Sequence, residues 1–557
     1  MHTPENPALD LNRVLQALLA DQCLHANDTL NVLEHAAADP TRHPLEQIAA
    51  CSLENRQHPG QPLDLDHLCQ WLASKVGQPY LRIDPIQLDL PQVSGLISPA
   101  FAQRHGILIV AADATSVTVA SAQPYQDDWQ ADLARSLGRP IRRVLASPLQ
   151  IRQSGQSFQR LAQSVKGAQH QQAASLGELE QLLELGKRQS EASADDAHIV
   201  HIVDWLLQYA IEQRASDIHL EPRRDQGQLR YRIDGLLHNV YAFPAGVTLA
   251  LVSRLKHLGR MDVAEKRRPQ DGRLQSRLPG GGEVELRLST LPTPFGEKLV
   301  LRLFDPNQLQ DGFDRLGLQG QQLAQWQALL RQRQGIILVT GPTGSGKTST
   351  LYASLKLLAT PQVNLCTIED PIERLEPAFN QLQVQPALDL GFADGVRALL
   401  RQDPDIIMVG EIRDRETALV AVQAALTGHL VLSTLHTNDA CAAITRLQEL
   451  GVADYLIKAT LIAVMAQRLV RTLCTDCQVT ASGNCRTCRG TGFHGRTGLF
   501  ELLEPSDNLR ALIGPNADLN HLRRQAVLDG LVDLRRCGEA KVACGQTREE
   551  EVLRVCS

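Results

Sequence analysis

Nowhere does the 557-residue chain offer the roughly 20 consecutive apolar residues that span a bilayer, and runs such as Ile107 to Ala112 are far too short. Its start, Met1 to Asp10, lacks the cationic region and apolar core of a secretory signal and carries prolines and acids instead. Basic residues are not in excess. Lysine and arginine total 56 against 62 acids, a net charge of -6, so no global basic field points to nucleic acid or an anionic membrane, although local basic strips remain open. Aromatic residues make up only 4% of the chain, and no aromatic-basic strip suited to stacking nucleic acid is found. A repeat of fixed period is also missing. These absences predict a cytoplasmic protein that reaches any membrane through a partner.

What is present is enough for three or four ordinary domains, since 557 residues exceed what one core can organise, and 43% hydrophobic residues fit soluble globular domains. Leu11, Val14, Leu15, Leu18 and Leu19 share one helical face, which predicts an amphipathic N-terminal helix, either packed at the periphery or used for docking. From about Asp64 to Phe158, helical patterns alternate with short strands at Ile107 to Ala111, Val117 to Ala120 and Ile141 to Leu145, the pattern of a small α/β domain. The stretch from Gln159 to Asp195 is rich in Gln, Ala, Ser and Glu and reads as a partly helical linker. A further domain begins near Asp196. Apolar and charged residues alternate from Leu229 to Asp234, placing Arg230 and Arg232 on the polar face of a strand; Asp217, His219 and Glu221 alternate with Ile218 and Leu220 in the same way. Solvated strand faces would explain both patterns as well as a site would.

The most specific signal runs from Gly335 to Thr350. An apolar strand, Ile336 to Val339, leads into Gly341, Pro342, Thr343, Gly344, Ser345, Gly346, Lys347 and Thr348, which fill GxxxxGK[ST] at every position, and Ser349 opens onto a helical pattern through Leu358. Glycines at 341, 344 and 346 let backbone amides turn inward around phosphates, and the following helix adds the positive end of its dipole. Lys347 is expected to reach the β and γ phosphates of ATP, and the Thr348 hydroxyl to ligate magnesium.

Hydrolysis also needs a group that orients water. The run Asp405 to Glu411 has the pattern of a buried strand ending in a carboxylate, which makes Glu411 the expected catalytic acid. Gly410 occupies the position where many P-loop proteins place a metal-holding aspartate, so magnesium is expected to rely on Thr348, water and a more distant carboxylate. Glu369 and Glu373, in the acidic run after the short strand Val363 to Ile368, could supply that carboxylate or be exposed loop acids. His429 and His436 bracket the apolar run Leu430 to Leu435; each could be a hydrogen-bonded structural residue or a participant near phosphate.

Of 12 cysteines, Cys474 with Cys477 and Cys485 with Cys488 form two CxxC knuckles, the second followed by Arg-Gly-Thr-Gly. Four thiolates favour tetrahedral zinc with no open position, hence a structural site in a reducing compartment. The loop between the pairs, 478 to 484, is short for a zinc ribbon.

Together these segments resemble the secretion ATPase superfamily, in particular the assembly ATPases of type II secretion and type IV pili. The resemblance spans about residues 196 to 505 and rests on Arg230 to Gly235, Ala264 to Arg273, the P-loop, Thr367 to Glu373 as the family's Asp box, Leu400 to Asp414 as its Walker B region, and Thr427 to Thr437 as its His box. It implies catalytic roles for Glu411, His429 and His436, and a homohexamer in which arginines of a β-rich domain reach a nucleotide; Arg232 and Arg254 are the positions carried over, with Arg268 and Arg273 behind them. The implied fold is a multidomain α/β protein. A helical arm (1–60), a small α/β docking domain (61–158) and a linker (159–195) precede a β-rich α+β domain (196–307). A RecA-like P-loop ATPase core (308–470), a tetracysteine zinc segment (471–498) and a C-terminal helical region (499–557) complete it. The implied function is ATP hydrolysis that drives pseudopilin or pilin assembly, with an inner-membrane platform protein and a membrane-anchored adaptor as partners. A nucleic-acid translocase of a competence or conjugation system and a non-hydrolysing nucleotide-binding scaffold are the rival classes. Some relatives bind cyclic di-GMP through an N-terminal Arg-Leu-Gly motif. The comparable Leu11 to Leu15 lacks it, so that ligand is not expected.

Overall fold

The computed structural model describes all residues except 1–7, 58–61, 85–87, 89, 94, 177–195, 278–282, 305–311, 478–484, 486, 489, 516 and 557. It divides into two compact units, Met1–Leu303 with Ala481–Gly490, and Phe304–Thr480 with Thr491–Ser557. Among the described residues, no helix is long and apolar enough to cross a membrane.

In the first unit, the amphipathic helix Leu11–Ala20 forms as its periodicity predicts. Asp10 caps it by accepting from the Arg13 amide, and Val14, Leu15 and Leu18 are buried among the helices Pro44–Ala50 and Leu65–Val76. A three-stranded sheet follows in the order β1 (Ile107–Ala112), β2 (Val117–Ser121), β3 (Ile141–Leu145), where the apolar alternation placed its strands. The helix after it, Pro148–Leu176, continues well into the stretch read as a linker, whose remainder, 177–195, lies outside the described residues.

A six-stranded sheet in the same unit comprises β4 (Asp217–Pro222), β5 (Gln226–Ile233), β6 (Leu236–Pro244), β7 (Gln270–Arg277), β8 (Glu283–Thr293) and β9 (Gly296–Phe304), in the order β6-β5-β4-β9-β8-β7. Burial alternates along β5 as its sequence alternates: Leu229 and Tyr231 are buried while Arg230 and Arg232 are half-buried. β4 departs from the solvated-face expectation, because Asp217, His219 and Glu221 are all buried. Cations cover that face: Arg232 and Arg302 pair with Asp217, and Arg223, Arg230 and Lys298 pair with Glu221.

The second unit is built on a seven-stranded sheet: β10 (Gly335–Thr340), β11 (Leu365–Glu369), β12 (Asn380–Gln383), β13 (Ile406–Val409), β14 (Leu430–Leu435), β15 (Leu461–Leu473) and β16 (Phe493–Leu503). Their order is β12-β11-β13-β14-β10-β15-β16, parallel from β12 to β15 and antiparallel at β16. Every residue of β10, β13 and β14 is buried, which is why these strands read as continuous apolar runs: helices cover both faces of a parallel sheet. Trp326, on the helix Gly320–Leu330, is fully buried and donates from Nε1 to Ser354 Oγ at 3.0 Å, tying that helix to the helix Lys347–Leu358. Trp326→Ala is expected to lower the stability of this unit by about 3–5 kcal/mol, the cost of a large core truncation. Chemical denaturation followed by a probe in the second unit measures it.

Candidate active site

The register of three strands assembles the site. β10 pairs with β14 so that Thr340 lies beside Leu435, and β13 pairs with β14 so that Val409 lies beside Ser433. Gly341 and His436, which directly follow β10 and β14, and Glu411, two residues past β13, therefore emerge together at the carboxyl edge of the sheet, the usual ligand position in open parallel sheets. Thr434 Oγ1 donates to the Gly410 carbonyl at 2.7 Å, and the Ile412 amide donates to the Thr434 carbonyl at 3.0 Å, so the turn carrying Glu411 is tied to β14.

The P-loop has the backbone its glycines allow. Gly341, Gly344 and Gly346 adopt φ of 150°, 79° and 87°, a region side chains disfavour. Space is the second reason for two of them: a Cβ at Gly341 would lie 2.5 Å from the Gln467 carbonyl oxygen, and one at Gly346 2.8 Å from Gln467 Nε2. Lys347, 9% exposed, donates to the carbonyls of Gly341 at 2.8 Å and Pro342 at 3.0 Å. Burial lowers its pKa to about 8, an effect opposed by Glu411 and Glu373 nearby. A tight, side-chain-free loop at a helix N-terminus, with a lysine curled into it, fits a polyphosphate. The Thr348 hydroxyl, in the first turn of that helix, could hold a divalent cation.

Glu411 faces a guanidinium and an imidazole. Its side chain is 13% exposed, with Arg413 Nη2 at 2.6 Å from one oxygen and His436 Nε2 at 3.5 Å from the other. The carboxylate raises the pKa of Arg413 above the ordinary guanidinium value. Glu369 is held differently: buried at the end of β11, it accepts from Tyr352 Oη and Thr367 Oγ1, each at 2.7 Å, and from Gln381 Nε2 at 3.2 Å. Its lone pairs are committed to this network. Glu373 is exposed, yet close enough to stabilise the Lys347 ammonium.

His429 is not brought to this edge. It precedes β14, its carbonyl accepts from the Gly335 amide at the start of β10, and the P-loop leaves the other end of that strand. Six strand residues put roughly 20 Å between the two ends. His429 Nδ1 contacts the Ala424 carbonyl at 2.8 Å and Thr427 Oγ1 at 3.1 Å, the contacts of a residue closing the helix Arg415–Leu426. Of the two histidines given catalytic roles by the resemblance, only His436 stands at the P-loop edge within this unit.

Arg232 and Arg254 belong to the first unit. Arg232 Nη1 donates to the Gly235 carbonyl at 3.0 Å and its Nε lies 3.4 Å from Asp217, whereas Arg254 stands on the helix Ala245–Leu258. Of the core arginines, Arg397 pairs with Asp394 and Glu416. Two residues that sequence reasoning passed over, Gln467 and Arg468 of β15, lie against the P-loop; the polar pair that interrupts the apolar run Leu461 to Ala466 was the available signal.

The sulfurs of Cys474, Cys477, Cys485 and Cys488 all lie within 4.8 Å of one another, with three of the residues buried. Four thiols converging this closely fit a tetrahedral ion with metal–sulfur bonds of about 2.3 Å.

Residues 192–554 match the family described as type II/IV secretion system protein, and residues 76–165 match the MshEN domain. The type IV pilus assembly ATPase TfpB of Acinetobacter baylyi is 49% identical over 98% of this chain and 98% of its own length. The type IV pilus assembly ATPase PilB of Myxococcus xanthus is 37% identical, over 87% of this chain and 90% of its own. The type II secretion system protein HxcR of Pseudomonas aeruginosa is 47% identical over 65% of this chain and 78% of its own. The X-ray structure of the Legionella pneumophila ATPase DotB shares the fold, with a TM-score of 0.50 and 23% identity over 64% of this chain and 95% of that one.

The lowered pKa of Lys347 sets a pH dependence. Phosphate binding needs the ammonium, which the nucleotide-free protein keeps below a pH of about 8 and loses above it. ADP affinity is thus expected to be constant up to that point and then to fall with rising pH, by up to about tenfold per unit. Titration with a fluorescent ADP analogue between neutral pH and the start of base denaturation measures it. Lys347→Arg, which stays charged, is expected to flatten the profile.

Proposed function

Because the chain belongs to the type II/IV secretion system protein family and is an ATPase, we propose that it hydrolyses ATP to drive assembly of type IV pilus subunits. The observation that carries the choice of system is the 98% coverage shared with a pilus assembly ATPase, against 65% with the secretion protein HxcR. Lys347 leaves the carbonyls of Gly341 and Pro342 to meet the β and γ phosphates, while the amides of residues 341 to 348 surround them. A magnesium ion held by Thr348 would neutralise phosphate charge. Glu411 accepts a hydrogen bond from the attacking water and aims it at phosphorus; Arg413 and His436 fix the two carboxylate oxygens so that the acceptor geometry is set before substrate arrives. Glu369 braces the neighbouring strand end, and Glu373 steadies the lysine's charge.

Self-association into a hexamer, work against an inner-membrane platform protein, and recruitment to the membrane by an adaptor complete the proposal. The full-length similarity to a pilus assembly ATPase supports them. The net charge of -6 and the scarcity of aromatics speak against nucleic acid as the moved polymer.

Glu411→Gln is expected to retain ADP binding and lose turnover by about 100-fold or more, since a water-orienting acid is removed and the cradle is not. Steady-state phosphate release beside an ADP titration checks this; unchanged turnover would move the role to another acid. In the source bacterium the same variant should leave cells without surface pili while exoprotein secretion continues, and the reverse outcome would assign the protein to type II secretion.

The tetracysteine cluster is proposed to bind one zinc ion per chain in a structural role. Cys485→Ser is expected to lose the metal and loosen the ends of β15 and β16 while ADP binding persists. Elemental analysis reads the first effect and proteolysis near Leu473 the second; less than a tenth of an equivalent in the unaltered protein would refute the site.

A further inference from the structure

β15 runs past the end of β10 and so lies alongside the P-loop: Thr340, the last residue of β10, pairs with Ala466, and the next two residues of β15 are Gln467 and Arg468. Successive strand residues point to opposite faces. Gln467, fully buried, faces the helix Lys347–Leu358, where its Oε1 accepts from Thr350 Oγ1 at 2.8 Å. Arg468, only 8% exposed, faces the other way and donates from Nη2 to the Asn438 carbonyl at 2.7 Å and from Nη1 to the Gln467 carbonyl at 3.1 Å.

Burying a guanidinium is costly, and buried cations ordinarily have a carboxylate partner. Among the described residues, no carboxylate forms an ion pair with Arg468. The carboxylates whose charge reaches it are engaged elsewhere: Asp439 pairs with Arg523 and caps the helix Ala440–Glu449, and Glu501 accepts from the amides of Ala440 and Leu534. The arginine also lies against the first P-loop residue, since a Cβ at Gly341 would be 3.1 Å from its Nη1. One buried cation therefore touches both the start of the P-loop and the loop that follows β14.

That second loop carries His436, whose side chain is 48% exposed and whose Nε2 stands 3.5 Å from a Glu411 oxygen. Packing does not set its position; the backbone on its C-terminal side does. Thr437 is held by Thr340, with 2.7 Å between the hydroxyl oxygens and a 2.9 Å bond from the Thr437 amide to Thr340 Oγ1, and Asn438 is held by Arg468. We infer that Arg468 is a positioning residue for ATP hydrolysis: by gripping the Asn438 carbonyl from beside the P-loop, it holds His436 at the distance from Glu411 that keeps the carboxylate oriented. This rests on the proposed role of His436 and Glu411.

The test is a double-mutant cycle on the full chain with magnesium and ATP, reading kcat, KM and ADP affinity for Arg468→Gln, His436→Ala and the pair. Arg468→Gln is expected to lower kcat about tenfold with KM and ADP affinity changed less than threefold, and to cost less than threefold in kcat when His436 is already alanine. Arg468→Lys, which keeps a charged donor, should recover part of the loss. If Arg468→Gln does not fold, the cycle of Arg468→Lys with His436→Ala reads the same coupling. Additive losses overturn the inference, as does a fall in ADP affinity with kcat unchanged, the result expected of a direct phosphate ligand. A His436→Ala enzyme with normal kcat overturns instead the role of His436 on which the inference stands. A slowed His436→Ala with additive Arg468→Gln overturns positioning alone.

Discussion

The parallel register of β10, β14 and β13 is the constraint on which the rest of the second unit depends. Because Thr340 pairs with Leu435 and Val409 with Ser433, three loops distant in sequence leave the sheet at one edge. A slip of one residue would turn each side chain to the opposite face. Close packing on both faces of these fully buried strands opposes it, since side chains of different size would have to exchange places. The P-loop glycines then do locally what the sheet does globally: they allow close approach, at Gly341 to the backbone of β15 and at Gly346 to the side chain of Gln467.

Burial also sets the electrostatics of that edge. Lys347 is desolvated and held by carbonyls, so its charge is poorly satisfied until an anion arrives. Glu411 is close enough to support the ammonium, yet its own oxygens are directed by Arg413 and His436. An acid and a lysine this near could collapse into a simple ion pair. The carbonyl contacts of the lysine, and the Arg413 and His436 contacts of the acid, keep them apart in function.

The first unit uses charge in a different way. On the face of β4 the carboxylates of Asp217 and Glu221 are enclosed by arginines and a lysine from β5, β9 and the turn between β4 and β5, and burial of the acids is the consequence. Arg232, singled out from the alternation of its strand, is thus first a partner of Asp217. The opposite face of the same sheet gathers Tyr231, Tyr241 and Phe243 with Trp205 and Tyr209 of the helix Ala197–Glu212, a concentration of aromatics in a chain that has few.

Legibility differed by the range of the interaction. The strand, glycine loop and helix of the P-loop, the buried strand ending at Glu411, the N-terminal amphipathic helix and the paired cysteines were readable because each is a local pattern: a period, a spacing, or a residue type that a backbone conformation requires. His429 and His436 looked equivalent in sequence, flanking one strand symmetrically. They part company in the fold because a parallel sheet places its ligand edge at the carboxyl ends of its strands and leaves the other ends to helix closure. Glu369 and Glu373 sit four residues apart, and only packing against Tyr352 and Gln381 decides that the first is committed to a buried network. Gln467 and Arg468 carried no motif to mark them. Sequence alone determined which chemistry the chain can perform, because phosphate cradles and thiolate clusters need particular residues at short spacing. Which of its charged residues share that chemistry was decided by the tertiary structure, because contacts between elements more than 100 residues apart, such as Thr350 of a helix with Gln467 of β15, follow from how the sheet is ordered and covered and leave no local period in the chain.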